Sequence, residues 1–294
     1  AALAAGQARP RLMQGDVRDF AAVRAAAAGQ TEIYLLAAQV AVTQALVNPR
    51  HDFEVNALGA FNVLEAARLG GQRPFLLFTS TNKVYGEMPG RPAAPTSEDQ
   101  PLQFHSPYGC SKGAADQYVL DYARVYALPA VVFRMSCIYG PGQAGSEDQG
   151  WLAHFAAAAL AARPITLYGD GQQRRDLLFI DDLIHAMRLA WQHRRAAAGQ
   201  VFNIGGGGEN VRSLREVIAW LERRYGRRLE LHQGPRRQGD QAYYCSDLTR
   251  FQALTHWRPR IAAETGLDRL CTWLEAREQE TRRAQQPKQQ REAA

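Results

Sequence analysis

The stretch "PFLLFTST" (residues 74–81) decides how this chain folds. It is an apolar, β-prone run without polar alternation, which marks a strand buried on both faces. Upstream, "EIYLLAA" (32–38) reads the same way. Downstream, "PAVVFRMSCIYG" (129–140) reads as one further long strand. The segments between have helical spacing: "HDFEVNALGAFNVLEAARLGG" (51–71), which stops on glycines, and "SPYGCSKGAADQYVLDYARVY" (106–126). Strands alternating with helices predict an α/β fold, a doubly wound parallel sheet with crossover helices. The sheet is expected to open at "RLMQGDV" (11–17).

Past Gly142 the pattern loosens. "WLAHFAAAALAAR" (151–163) reads as a helix and "LLFIDDLIHAMRLAWQ" (177–192) as a strand turning into a helix. "QVFNIGG" (200–206) is a strand, and "SLREVIAWLERRYG" (213–226) a helix with Ser213 as its cap. "GLDRLCTWLEAREQE" (266–280) closes the chain as an amphipathic helix, and residues 281–294 read as a polar, disordered tail. "GGGG" (205–208) lacks phosphate-loop spacing and reads as a turn, and Asp181 and Asp182 read as caps of the following helix.

The chain has 294 residues, 46% of them hydrophobic, enough for one large domain or a domain with a lobe. The net charge of +6 is carried by arginine, with three lysines among 35 basic residues. This charge reads first as arginine-rich coding with a basic surface, and a preference for anionic small molecules is the rival reading. No basic run interleaves with aromatics, which argues against nucleic acid. The four cysteines are scattered as reduced thiols would be, and neither they nor the histidines have metal-ligand spacing. No apolar run approaches the roughly 18 residues of a membrane span, and no signal peptide is visible, so a cytoplasmic protein is expected.

One of the three lysines, Lys112, stands four residues after Tyr108, on the same face of the helix. A nearby ammonium favours a phenolate, so the pair suggests a tyrosine base able to take a hydroxyl proton while hydride leaves the same carbon. Alone, this spacing is weak. It does not stand alone: "GDVRD", "LLAAQ", "NPRHDFEVNALGAFNVLEAAR", "FTSTNKVYG", "FRMSCIYGPGQ", "YGDGQQRRDLLFIDDL" and "RRQGD" accompany it. With "SPYGCSK", they resemble the extended short-chain dehydrogenase/reductases that act on nucleotide sugars, the NAD-dependent epimerase/dehydratase family, from about Leu12 to Leu274.

The resemblance implies a Rossmann-like domain over residues 1–141, a mainly substrate-binding lobe over 142–280 with a strand and helix returning to the main domain, and NAD as cofactor. It implies Thr81, Tyr108 and Lys112 as the catalytic residues, with Tyr108 and Lys112 also meeting the cofactor and Lys112 holding the nicotinamide ribose. Asp16 and Val17 would lie beside the adenine, and Ala37, Ala38 and Gln39 near the phosphates and ribose. Asn56 would support the site, Thr79 and Ser80 lie under the nicotinamide, and Arg134 and Ser136 just beyond it. Asn82, His105, Gln149, Trp151, Arg175, Arg237 and Asp240 would meet a nucleotide-diphosphate sugar, the arginines matching diphosphate with their bidentate fork.

The expected reaction is nucleotide-sugar epimerisation by transient hydride transfer. The alternatives are another epimerase or 4,6-dehydratase of the family, or an inactive truncated relative. Dehydratases carry Asp-Glu after the catalytic Thr; Asn82 and Lys83 here disfavour elimination. The helices carrying Asn56 and Tyr108 are expected to form a four-helix contact in a homodimer or homotetramer. The family's opening strand, Gly-rich turn and ribose-holding acid do not occur in this sequence, so roughly 30 to 60 residues are expected ahead of it.

Overall fold

The computed structural model describes residues 10–87 and 95–285. Helix α1 (Phe20–Ala27) leads into β1 (Glu32–Leu35). Short helices α2 (Val42–Val47) and α3 (Pro49–Phe53) run through a π-helical turn, Glu54–Leu58, into α4 (Gly59–Leu69). Next come β2 (Phe75–Thr81), a 3₁₀ turn at Asn82–Tyr85, α5 (Pro107–Tyr126), β3 (Ala130–Met135) and β4 (Cys137–Tyr139). The second half begins α6 (Trp151–Leu160), β5 (Ile165–Tyr168), β6 (Arg174–Phe179), α7 (Ile180–Gln192), α8 (Arg194–Ala197) and β7 (Val201–Ile204). It ends β8 (Val211–Ser213), α9 (Leu214–Tyr225), β9 (Leu231–Gly234), β10 (Tyr243–Tyr244), α10 (Thr249–Thr255) and α11 (Ala263–Gln285).

The main sheet is parallel, in the order β1-β2-β3-β7. Every residue of β2 is buried, as the unbroken apolar run requires. One face packs Leu76, Phe78 and Val132 against Val63 and Leu64 of α4 and Val119 of α5. The other packs Leu77 and Phe133 against Leu183 of α7 and Phe251 of α10. A third core joins Phe155 of α6, Leu221 of α9 and Leu270 of α11, roofing a second sheet of order β10-β6-β4. α9 starts on the predicted Ser213, which forms a capping box with Glu216.

The structure departs from the sequence reading in four places. Residues 129–140 are not one strand: β3 stays in the main sheet beside β7, and β4 leaves to pair with β6. The chain parts at Ser136, whose amide donates to Ile204 O of the main sheet and whose hydroxyl donates to Asp176 O of β6. "RLMQGDV" forms no strand; Leu12 is 97% exposed. Asp181 and Asp182 do not cap α7; Asp182 Oδ2 accepts from the amides of Arg260 and Ile261, pinning the segment ahead of α11. α11 continues to Gln285, so residues 281–285 are helical rather than tail, and 286–294 lie outside the described residues.

Candidate active site

Helix α5 opens with Pro107 at its first position and Ser106 as N-cap, accepting from Gly109 N at 3.1 Å. That start puts Tyr108 in the first turn and Lys112 one turn further, both buried. Thr81, the last residue of β2, hydrogen-bonds the Tyr108 side chain, and its oxygen accepts from Lys83 N at 3.2 Å. Thr81 and Tyr108 thus meet at the C-terminal end of the central strand, where ligands of open α/β sheets bind, with Lys112 one turn further along α5.

Their electrostatics differ from the sequence expectation. Burial pushes the Tyr108 hydroxyl up to about 12, opposed by the Thr81 hydrogen bond and reinforced by the charge of Asp52. Burial also brings Lys112 down to about 7, against the pull of Asp116 and Asp52. Its Nζ lies 4.3 Å from the centre of the Phe78 ring. Thr81, rather than Lys112, is the group that lowers the Tyr108 value here. Desolvation is the largest influence on both groups because both sit out of water.

Behind the pair lies a polar cage that the sequence reading only half identified. Asn56 stands inside the π-helical turn, a rare element that concentrates at functional sites. Its side chain accepts from Gln39 N at 2.9 Å and donates to Gln39 O, Asp52 Oδ1 and Ser111 Oγ. Gln39 Nε2 also donates to Asp52 Oδ1, at 2.8 Å. Asp52 and Ser111 went unremarked in the sequence. The signal that could have found Asp52 is its place one helical turn before Asn56.

In front of the pair is a cavity of about 370 Å³, opening where β3 and β4 part. Its lining includes Ser80, Thr81, Asn82, Lys83, Tyr108 and Ser136 together with Gln149, Trp151, Arg175, Arg237 and Asp240. Asp240 organises the charged part of this lining. Its Oδ1 accepts from Arg175 Nη2 at 2.8 Å and from Lys83 Nζ at 3.3 Å. Burial works to raise its carboxyl, yet Arg175 and Lys83 hold it below the usual value. Burial and the Arg175 charge bring Lys83 down to about 8. Lys83, read in the sequence only as an obstacle to dehydration, is therefore a wall of the cavity; its signal was that it is one of three lysines. Arg237 lies 3.9 Å from the Tyr168 ring centre and 3.6 Å from Asp148 Oδ1.

Other proposed ligands lie elsewhere. Arg134 does not face the cavity: it forms a buried two-point ion pair with Asp116, both contacts 2.9 Å, and donates to the Tyr85 hydroxyl. β-strand alternation turns it to the face opposite a cavity residue. The Thr79 hydroxyl donates to Leu35 O at 3.0 Å, tying β1 to β2. Asp16 is exposed and paired with Arg18, and Val17 packs on Gly59 while its carbonyl accepts from Asn62. Ala37 and Ala38 follow β1 outside the cavity. His105 is exposed, its Nδ1 accepting from Glu87 N. Lys112 stands behind Tyr108, off the cavity surface.

The Ser80 hydroxyl is buried in the cavity wall and has no partner among the described residues. A buried polar atom of this kind, beside Thr81 and Tyr108, fits the polar end of a bound nicotinamide. Among the described residues no three His, Cys, Asp or Glu side chains are grouped to hold a metal, and no helix is long and apolar enough to cross a membrane.

Comparison with known proteins agrees with this geometry. CDP-paratose 2-epimerase of Salmonella typhi is 38% identical over 256 residues, 81% of this chain and 76% of that protein. dTDP-glucose 4,6-dehydratase of Neisseria gonorrhoeae is 33% identical over 258 residues, covering 81% of this chain and 72% of that protein. The solved structure of Thermus thermophilus UDP-glucose 4-epimerase, a complex with NAD, superposes with a TM-score of 0.81 at 31% identity, over 89% of this chain and 83% of that one. Residues 2–205 match the family model itself. With that span matched, and with Thr81 and Tyr108 meeting at the end of a parallel sheet, the chain belongs to the NAD-dependent epimerase/dehydratase family.

Proposed function

We propose that this enzyme epimerises a nucleotide-diphosphate sugar, with CDP-paratose and its carbon 2 as the substrate and centre we favour. One observation carries the reading: Thr81 and Tyr108 line the same cavity as Arg175 and Arg237. A proton-transfer pair and a diphosphate clamp thus share one space. The relative named CDP-paratose 2-epimerase supports the choice of sugar.

Bound NAD would supply a reversible hydride acceptor and, on its oxidised ring, a positive charge that favours a phenolate. Ser80, Thr79 and Ser136 line or underlie the place for its nicotinamide, and Gln39, Ala37 and Ala38 the approach to its ribose and phosphates. Asp16 and Val17 remain the proposed adenine contacts. Tyr108 takes the sugar hydroxyl proton as the C–H bond breaks, Thr81 holds the same oxygen, and Tyr108 returns the proton once the keto sugar has presented its other face. Lys112 stabilises the ionised Tyr108 from behind. Arg175 and Arg237 bind the diphosphate, with Asp240 holding Arg175 in place. Gln149 and Trp151 shape the sugar pocket, while His105, outside the cavity, can reach a substrate only from its rim. Asn82 and Lys83 follow Thr81, and an amide and a lysine cannot serve as the acid and base of elimination, which disfavours dehydration.

We also propose a cytoplasmic homodimer that pairs α4 and α5 with their copies. Tyr118 and Val125 of α5 are 48% and 58% exposed, and Tyr118 meets Phe61 of α4 edge-on. Light scattering at micromolar concentration tests it; a monomer rejects it.

For the reaction, the protein is loaded with NAD and given CDP-paratose in heavy water. Inversion at carbon 2 with the original hydrogen retained is the expected outcome. Solvent deuterium at that carbon indicates deprotonation chemistry and rejects the mechanism. Inversion of a different nucleotide sugar alone keeps the mechanism and rejects the substrate.

A further inference from the structure

Asp52 is fully buried, and among the described residues no cation lies within ion-pair distance of it. Its partners are neutral donors: Gln39 Nε2 at 2.8 Å, Asn56 Nδ2 at 3.1 Å, and the Ser111 hydroxyl. Asp116, buried as deeply, is instead answered by the two-point contact with Arg134. Neutral donors make a buried carboxylate tolerable, but they leave its charge uncancelled, and in a dry interior that charge is felt by its neighbours.

Ser111, which Asp52 holds, lies between Tyr108 and Lys112 on the first turns of α5 and also receives a hydrogen bond from Asn56 at 3.2 Å. We infer that Asp52 is a positioning residue for the Tyr108–Lys112 pair: its hydrogen bonds fix the start of α5 against the π-helical turn, and its uncancelled charge favours the ammonium form of Lys112.

The surrounding charges support this assignment. On its own element, His51 is exposed, and Glu54 just beyond is paired with Arg50 and Arg18. On the buried face of the first turns of α5 the titratable groups are Tyr108, Lys112 and Asp116. The β1–α2 connection contributes the neutral Gln39. Of the two carboxylates that oppose the desolvation of Lys112, Asp116 already answers Arg134, and Asp52 has no cation of its own.

The chain offers a direct measurement because it has only three lysines. Protein labelled with ¹³C at the lysine ε-carbon gives three titrating signals, assigned by Lys83→Arg and Lys288→Arg. In the unaltered chain the Lys112 signal is expected to titrate near 7. In Asp52→Asn, and independently in Asp52→Ser, it should move to lower pH, while Asp52→Glu holds it near the original midpoint. Circular dichroism and thermal melting establish which variants fold. An unmoved Lys112 midpoint in a folded Asn or Ser variant overturns the inference. So does a chain that folds with neither, since the carboxylate would then be a structural requirement only. The inference rests on reading Tyr108 and Lys112 as the acid–base pair, but the signal reports charge rather than turnover, so it can fail separately from the proposed reaction.

Discussion

Asp240 Oδ1 accepts a hydrogen bond from Arg175 Nη2 at 2.8 Å, and Arg175 is itself almost fully buried at the cavity wall. A guanidinium held by a carboxylate before substrate arrives has little freedom left to lose on binding diphosphate. Asp240→Asn keeps the shape but releases Arg175 and Lys83. The expected result is a KM raised roughly 10- to 100-fold with kcat changed much less, the size of a lost charge-assisted hydrogen bond. Steady-state kinetics with varied nucleotide sugar read this. An effect confined to kcat would place Asp240 in the chemistry instead.

Tyr108→Phe removes the proton acceptor and should reduce kcat by about 10²-fold or more. Thr81→Val acts differently. The Thr81 hydrogen bond pulls the Tyr108 value down, so its loss lets burial push that value higher still. The acid limb of the pH–rate profile, which follows formation of the phenolate, then moves to higher pH. A limb that stays in place while the rate falls would mean that Thr81 holds the sugar but does not tune the tyrosine.

Lys112 is held at a cost to stability. Its folded value, about 7, lies below the 10.5 of a free lysine. Between those values the unfolded chain binds more protons, so this residue's penalty shrinks as pH rises from 7 towards 10.5. Lys112→Met should therefore melt at a higher temperature than the unaltered chain at pH 7, lose activity, and give up that advantage as pH rises. Calorimetry across this range checks the sign. A variant less stable at pH 7 would show that the ammonium contributes more contact than it costs.

Arg134→Met should act on stability rather than on cofactor. Removing one partner of a buried ion pair leaves an uncompensated charge, Asp116, at a cost of about 3–5 kcal/mol. Urea unfolding measures it. A variant of unchanged stability with weakened NAD binding would return Arg134 to the cofactor site.

Gly86 has φ +66, and a Cβ placed there would lie 2.1 Å from Gln103 O, a backbone atom unable to swing aside. Gly86→Ala should lower stability by roughly 1–3 kcal/mol through the left-handed backbone alone, with the clash adding more. Because Gly86 closes the 3₁₀ turn carrying Asn82 and Lys83, KM should rise as well. A fully active, equally stable variant would remove this turn from the account of the cavity.

Sequence by itself determined the parallel sheet, because strands such as Phe75–Thr81 are apolar on both faces and only a layered α/β arrangement buries both. It also determined Tyr108 beside Lys112, since helical spacing is local, and Ser213 as a cap, since the capping box spans four residues. Tertiary structure alone decided where residues 129–140 divide. Both halves are equally strand-prone, and the break at Ser136 exists only because β7 and β6 compete for successive backbone groups. It decided that Arg134 turns to Asp116 and not to the cavity, a choice of face set by the packing of α5. It also assembled Asp52, Gln39, Asn56 and Ser111 into one cage from three separate segments. The charge state of Tyr108 and Lys112 belongs to this second group. Spacing brings an ammonium towards a phenol, but the water excluded around them sets both proton affinities, and that exclusion belongs to the whole fold.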